Sequence, residues 1–273
     1  MEEKSFQYNE SKICYRIIGQ GKPVILLHGF GEDGTVWERQ VTALQNNYRL
    51  IIPDIPGSGK SPLVANANIE TYAEIIKDLV NIERSQVASQ GGDLENVSLI
   101  GHSMGGYIAL AFAEKYPQYL NSLCLFHSSA FADGEEKKAT RKKAIEFIRE
   151  KGALTFLKTS IPGLFNEAFA AENESVISSL ISKATNFTDT ALVQYYEAMI
   201  ARPDRIQVLK NFPNPVLFII GEHDKAVPLQ SSLDQCYLPA ISHVHILENA
   251  AHMGMYEQTA KANLALINFL SQV

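Results

Sequence analysis

The chain has 273 residues with 24 basic and 30 acidic side chains, a net charge of −6, which argues against nonspecific binding to nucleic acid or to an anionic membrane. Hydrophobic residues make up 46% and charged residues 20%, the balance of a water-soluble globular protein, and no uninterrupted apolar run approaches the ~18 residues of a membrane span. Cys14, Cys124 and Cys236 lie far apart, without metal or redox spacing, and with the acidic, polar start "MEEKSFQYNE" they point to a reducing, cytoplasmic setting.

In chain order, "KICYRIIG" alternates and meets the turn "QGKP", which predicts an early antiparallel strand. "VILLH" reads as a buried strand that runs into Gly29, Gly31 and Gly34, spaced G-x-G-x-x-G. "GTVWERQVTALQNNY" is helical in pattern, with Val36, Gln40 and Leu44 on one face. "RLIIPD" is the next strand, ending at Asp54. "IETYAEIIKDLVNIERS" places Ile69, Tyr72, Ile75, Ile76, Leu79 and Val80 at helical spacing. "NVSLIGH" is a strand, "MGGYIALAFAEKYP" a helix stopped by Pro117, and "NSLCLFHSS" another strand. From Phe131 to Phe212 there are helical patterns and no convincing strand. "PVLFIIGEHD" and "HVHILENA" are two further strands, and "QTAKANLALINFLSQV" is a closing helix. Repeated strand-then-helix units predict an α/β fold: a mostly parallel twisted sheet with helices on both faces. Residues 1–130 and 211–273 would form that core. Residues 131–210 would form an all-helical insertion, placed to cap the carboxyl edge of the sheet, where ligands bind in open α/β sheets.

"GHSMG", Gly101–Gly105, follows a strand and opens a helix. The pattern G-x-S-x-G is that of a nucleophile elbow, which presents a serine on a sharp turn flanked by small residues because strand and helix backbones approach closely. Ser103 is therefore the candidate nucleophile, and it needs a base. Of seven histidines, His28 and His102 sit in tight glycine turns, His127 ends a strand placed too early, and His243 and His245 share one strand face. His223 directly precedes an acid candidate. His252, in "NAAHMG" after the last strand, has the position of a base. The acid that orients it is expected to be Asp224 in "GEHDKAVP", with Glu222 in reserve and Asp133, Asp189 and Asp234 less well placed. The order Ser…Asp…His is the one that the elbow motif predicts. A tetrahedral oxyanion needs two N–H donors, expected from Met104 after the nucleophile and from Phe30 in "HGFG".

Two glycine motifs compete with this reading. Gly29, Gly31 and Gly34, with Asp54 twenty residues on, match a dinucleotide fingerprint as a string. A nucleotide-dependent oxidoreductase would leave the Ser/Asp/His set unexplained, and the one Tyr-x-x-x-Lys pair, Tyr8 to Lys12, precedes the sheet. "GSGKS" at Gly57–Ser61 fails as a phosphate-binding loop because Asp54 stands where the first glycine is needed. The basic run Lys137, Lys138, Arg141, Lys142 and Lys143 is interleaved with Glu135, Glu136 and Glu146. It reads as a solvated helix face rather than a docking site for an acidic partner.

"LLHGFG", "DIPGSGKS", "GHSMGG", "PVLFIIGEHDKAVP" and "NAAHMGMYEQ" together resemble the α/β-hydrolase family in order and spacing, over nearly the whole chain. The resemblance implies Ser103, Asp224 and His252 as the triad, Phe30 and Met104 as oxyanion donors, and the insertion as the family's cap. A serine at the elbow argues against branches with an aspartate nucleophile, such as haloalkane dehalogenases and epoxide hydrolases. Asn249 stands where a glycine is common and is expected to be tolerated. The expected activity is that of a carboxylesterase-like serine hydrolase, acting on a small to medium, largely apolar ester or acyl substrate without cofactor or metal. Phe30, Trp37, Phe156, Phe165, Phe169, Tyr195 and Met199 are candidate pocket linings, each equally readable as core. Branches that hydrolyse carbon–carbon bonds, eliminate or perhydrolyse share the machinery, and a hydrolase-fold ligand-binding or signalling protein with slow turnover is the alternative of another class.

Overall fold

A computed structural model describes residues 1–89, 91–92, 94 and 96–273. Eight strands form one sheet: β1 (Glu2–Tyr8), β2 (Ser11–Ile18), β3 (Lys22–Leu27), β4 (Tyr48–Pro53), β5 (Val97–His102), β6 (Leu120–Phe126), β7 (Val216–Gly221) and β8 (Ser242–Leu247), in the order β1-β2-β4-β3-β5-β6-β7-β8. β1, β2 and β4 pair antiparallel; every pairing from β4 across to β8 is parallel. β1 has no counterpart among the strands that the sequence pattern predicts: of its seven residues only Phe6 is buried, so it carries almost no apolar signal.

The helices that cover the sheet are α1 (Glu38–Leu44), α2 (Ile69–Ser89) and α3 (Met104–Lys115). Between β6 and β7 the chain makes α4 (Glu135–Lys151), α5 (Ala153–Ser160), α6 (Glu167–Glu172), α7 (Glu174–Lys183), α8 (Asp189–Ala201) and α9 (Ile206–Asn211), with no strand among the described residues. α10 (Leu229–Cys236), α11 (Gly254–Glu257) and α12 (Thr259–Leu270) complete the fold. Among the described residues no helix is long and apolar enough to cross a membrane.

The helical faces read from periodicity are the buried ones. Val36, Gln40 and Leu44 are buried, as are Ile69, Tyr72, Ile75, Ile76, Leu79 and Val80 of α2. At roughly 1.5–3 kcal/mol for each large apolar side chain withdrawn from water, such a face fixes the helix on the sheet. α3 is buried continuously from Met104 to Ala113, because its glycines and alanines let it lie close against β3, β5 and β6. Its N-terminus therefore meets the carboxyl ends of the central strands, where the strand order turns from β4-β3 to β5-β6.

Candidate active site

Ser103 follows β5 directly and precedes α3, with φ 51° and ψ −116°. A left-handed φ is strained for serine, on the order of 1–3 kcal/mol, and persists only where the surroundings impose it. Here they do. A Cβ at Gly101 would strike the Gly105 backbone, and one at Gly105 would strike the carbonyls of Leu27 and His28. Strand and helix can then close to a distance that turns Ser103 up over the sheet edge. The same strain recurs next door at His127, φ 49°, just past β6, and at Asn249, φ 59°, before the His252 loop. Asparagine visits this region more readily than most residues, so Asn249 fills the place of a glycine.

His252 Nδ1 donates to Asp224 Oδ2 at 2.8 Å. Asp224 Oδ1 accepts from the N–H groups of Ala226 and Val227, each at 2.8 Å. Burial disfavours the ionised carboxyl, but the charge of His252 and the hydrogen bonds from His127 and His252 outweigh it and hold Asp224 far below the usual carboxylate range. Glu222, the reserve acid, instead accepts from Asn249 N–H at 2.9 Å. His252 N–H donates to Leu164 O at 2.9 Å, which ties the loop of the base to the helical insertion. Glu257 accepts from Ala251 and Met253 N–H on either side of His252, each at 3.0 Å by one oxygen.

The "HGFG" loop lies beside Ser103: a Cβ on Gly29 would stand 3.1 Å from Ser103 Cβ. Phe30 N–H makes no hydrogen bond among the described residues, and Met104 N–H lies in the first turn of α3, where no helical acceptor exists. Neither amide therefore has an acceptor among the described residues. The fingerprint reading finds no free donor at its third glycine, because Gly34 N–H donates to Asp54 Oδ1 at 3.0 Å. Asp54 Oδ2 accepts from Lys60 N–H at 2.9 Å, so this acid closes the turn at Gly57–Ser61.

Ser103 and His252 line one cavity of ≈ 140 Å³, with Phe30, Tyr107, Leu164, Tyr196 and Met199 among its other walls. This is well below the ~300–1,000 Å³ of sites for drug-sized ligands. An adjoining cavity of ≈ 80 Å³ shares Phe30, Glu32, Leu164 and Tyr196 and adds Leu157, Ile161, Leu180 and Met253.

Of the expected linings, Phe30 and Met199 face the cavity and the others do not. Trp37 is fully buried and packs edge-on to Phe126 and His102, in the core. Tyr195 is fully buried and donates to Pro56 O at 2.8 Å. Phe165 stacks on Phe169, and Phe156 packs behind Phe30 and Tyr196. The basic run of α4 is also corrected. Lys142 and Lys143 are exposed as expected, but Lys137 and Arg141, one helical turn apart, line the cavity.

Three further residues join the site: Glu32, which the sequence does not single out, and His102 and His127, which it sets aside as bases. Glu32 accepts from Gly29 N–H at 2.7 Å and faces His102 Nδ1 at 3.0 Å. Burial opposes its charge, but His102 and that N–H leave its carboxyl below the ordinary range. His102 is pushed the other way: its burial is outweighed by Glu32, so its pKa is raised. Its Nε2 donates to His252 O at 3.0 Å, so the elbow's second residue props up the base. His127 Nδ1 lies 3.1 Å from Asp224 Oδ2 and also 3.1 Å from Gly221 N. Burial lowers its pKa to about 4 against the opposing pull of Asp224, so at neutral pH the ring is uncharged. Spacing to a glycine loop could have flagged Glu32; nothing in the sequence pairs His127 with Asp224. His127, Asp224 and His252 bring ligand-type atoms within 4.8 Å of one another, but both histidines point Nδ1 at the same Oδ2, the geometry of a shared carboxylate rather than of a metal centre.

Comparison with known proteins gives a consistent family. Residues 21–259 match the family described as serine aminopeptidase, S33. A 2-hydroxy-6-oxononadienedioate/2-hydroxy-6-oxononatrienedioate hydrolase of Escherichia coli K12 is 28% identical, over 96% of this chain and 91% of its own. The corresponding protein of Paraburkholderia phymatum is 25% identical, over 96% and 92%. A malate-bound structure of a thermophilic esterase from Thermogutta terrifontis superposes with a TM-score of 0.90 at 26% identity, covering 100% of this chain and 99% of that one.

Proposed function

Because the chain belongs to the serine aminopeptidase S33 family of α/β hydrolases, we propose that it is a serine hydrolase that cleaves a carboxylic ester or related acyl bond through Ser103, His252 and Asp224. The observation that carries this reading is the strained Ser103 on one wall of a small cavity and the Asp224-oriented His252 on another.

In this reading Ser103 Oγ attacks the carbonyl carbon as His252 Nε2 takes its proton. The charge that develops on the carbonyl oxygen is held by Phe30 and Met104 N–H, each such donor contributing ~3–4 kcal/mol to the transition state. Asp224 keeps Nδ1 protonated and stabilises the imidazolium. The tetrahedral intermediate expels the alcohol, which takes the proton from His252. Water then attacks the acyl-enzyme, giving a proton to His252, and collapse releases the acid and returns that proton to Ser103. The residues on either side of the insertion supply this machinery, and the insertion itself acts as the cap that shapes the substrate cavity.

The names of the two relatives support a second reading, hydrolysis of a carbon–carbon bond beside a ketone. A fluorophosphonate probe separates labelled from unlabelled nucleophile, and a panel of short esters, thioesters and 2-hydroxy-6-oxononadienedioate separates the reactions. Labelling of wild type but not of Ser103→Ala, with ester turnover, supports the proposal. Equal ester turnover by both would sink the nucleophile assignment. Turnover of the dienedioate alone would favour the second reading, and labelling without any turnover a ligand-binding role.

A further inference from the structure

One wall of the Ser103 cavity is cationic. Lys137 and Arg141 line it together with Tyr107 and Tyr196. The carboxylate behind that wall is Asp133, fully buried in its side chain. It accepts from Arg141 Nε at 2.6 Å and from Arg202 Nη2 at 2.9 Å, and it lies 3.8 Å from Lys137 Nζ. Three cations thus share one carboxylate. Glu32, the acid that also lines the cavity, is committed to His102 and Gly29 N–H.

The cationic groups are not all used up internally. Arg141 spends Nε on Asp133, and its side chain is only 12% exposed. Nη1 and Nη2 make no hydrogen bond among the described residues, nor do the hydroxyls of Tyr107 and Tyr196; none of the four is a fully buried atom, and all three residues line the cavity. The Arg141 guanidinium carbon lies 5.5 Å from the centre of the Tyr196 ring, which holds the fork in place. The local field is visible in neighbours. Burial alone would raise the Tyr107 hydroxyl, but Arg202, Lys137 and Arg141 outweigh it and bring its pKa below the ordinary value. Asp133, also opposed by burial, is brought down to about 2 by Arg202 and Arg141.

We propose that Arg141, with Tyr107 and Tyr196 beside it and Lys137 at the rim, is a carboxylate-binding subsite. It selects substrates that carry a free carboxylate on the acyl portion in addition to the bond cleaved. The inference rests on the acyl-transfer reading and narrows it from a largely apolar substrate to a half-ester of a short dicarboxylic acid. A guanidinium with both terminal NH2 groups free matches a carboxylate in a planar, two-bond geometry that an ammonium does not reproduce, and the two phenols can each donate one further bond.

The test pairs monoethyl glutarate with its terminal carboxamide analogue, alike in shape and differing in charge, following released ethanol. The expected result is a kcat/KM at least about tenfold higher for the acid, the scale of one charge-assisted hydrogen bond. The preference should fall to about twofold or less in Arg141→Gln and persist in the exposed control Lys142→Met. Since Arg141 also anchors buried Asp133, Arg141→Lys keeps the charge should the glutamine variant unfold, and it too should lose most of the preference. Equal kcat/KM for both esters in wild type overturns the subsite and leaves the hydrolase reading standing. Calorimetric binding of glutarate to Ser103→Ala, abolished by adding Arg141→Gln, supports the subsite even if neither ester is turned over, in which case the ester reading alone falls. Absence of glutarate binding together with absence of preference overturns it.

Discussion

The carboxyl edge of the sheet and the helical layer between β6 and β7 hold their side chains in different ways. At the edge, position is set by backbone: left-handed φ at Ser103, His127 and Asn249, and a helix start so close to β3 that Gly105 has no room for a Cβ. Charges there are paired at short range, as in His252–Asp224 and His102–Glu32. In the helical layer, position is set by side-chain packing, and contact with the edge runs through a few points such as Phe30 against Tyr196 and His252 N–H on Leu164 O. A backbone-defined site is rigid and unforgiving of substitution. A packing-defined wall can change its residues and so its substrate while the machinery below it stays the same.

That contrast can be broken by experiment. Removing the proposed nucleophile in Ser103→Ala should lower kcat by ~10⁶-fold, the scale seen when a triad serine is lost, or about 8 kcal/mol at 1.36 kcal/mol per tenfold, with unchanged far-UV circular dichroism. Asp224→Asn should cost ~10⁴-fold in kcat, because an amide neither balances the imidazolium nor enforces the tautomer; a loss under tenfold would return Glu222 to consideration.

Stability should respond to pH through His127. Its folded pKa of about 4 lies below the ordinary histidine value of 6.5, so the unfolded chain binds the extra proton between these values. Stability is full above pH 6.5 and falls as pH drops to 4, by about 3 kcal/mol in all at 1.36 kcal/mol per unit. His102, whose pKa is raised, contributes fully below pH 6.5 and loses its contribution only as pH rises above it. Asp133 takes over below its ordinary 3.8, its contribution being lost as pH falls through about 2. Urea midpoints between pH 4 and 6.5 should therefore slope in wild type and flatten in His127→Gln; parallel slopes would refute the assignment.

Gly105→Ala sets a helix gain of about 1 kcal/mol against overpacking of up to ~3 kcal/mol on backbone atoms that cannot rotate away. The expected net loss of about 2 kcal/mol is read as a lower urea midpoint, and a stabilised variant would contradict the close approach. The smallest effect is expected in the helical layer. Tyr195→Phe removes hydrogen bonds to Ile55 O at 3.2 Å and Pro56 O at 2.8 Å, worth about 1 kcal/mol, and should leave kcat within a few-fold. A kcat loss approaching that of Asp224→Asn would mean that the layer is as tightly coupled to the chemistry as the edge.

How far the site was legible follows the same division. Ser103, His252 and Asp224 sit beside motif residues whose backbone demands are local, so they stand out as candidates, Glu222 remaining in reserve, and the structure places His252 Nδ1 2.8 Å from Asp224 Oδ2. His127 ends a strand too early in the chain to serve as the base, and nothing local signals its contact with Asp224, 97 residues away. Trp37 and Tyr195 were equally good as core or lining, and only their neighbours place them in the core. β1 lacked an apolar pattern and is held by its register with β2.

By itself the amino-acid sequence determined the alternation of strand and helix, the elbow, the order of the candidate triad and the helical nature of the insertion, because each depends on residues within a turn or two of one another. Only the tertiary structure decided which side of α4 meets the cavity. Lys137 and Arg141 share a helix face by spacing, but periodicity says which side chains travel together and not what they meet. What they meet is the Ser103 cavity, where burial and the single carboxylate of Asp133 leave their charge unspent.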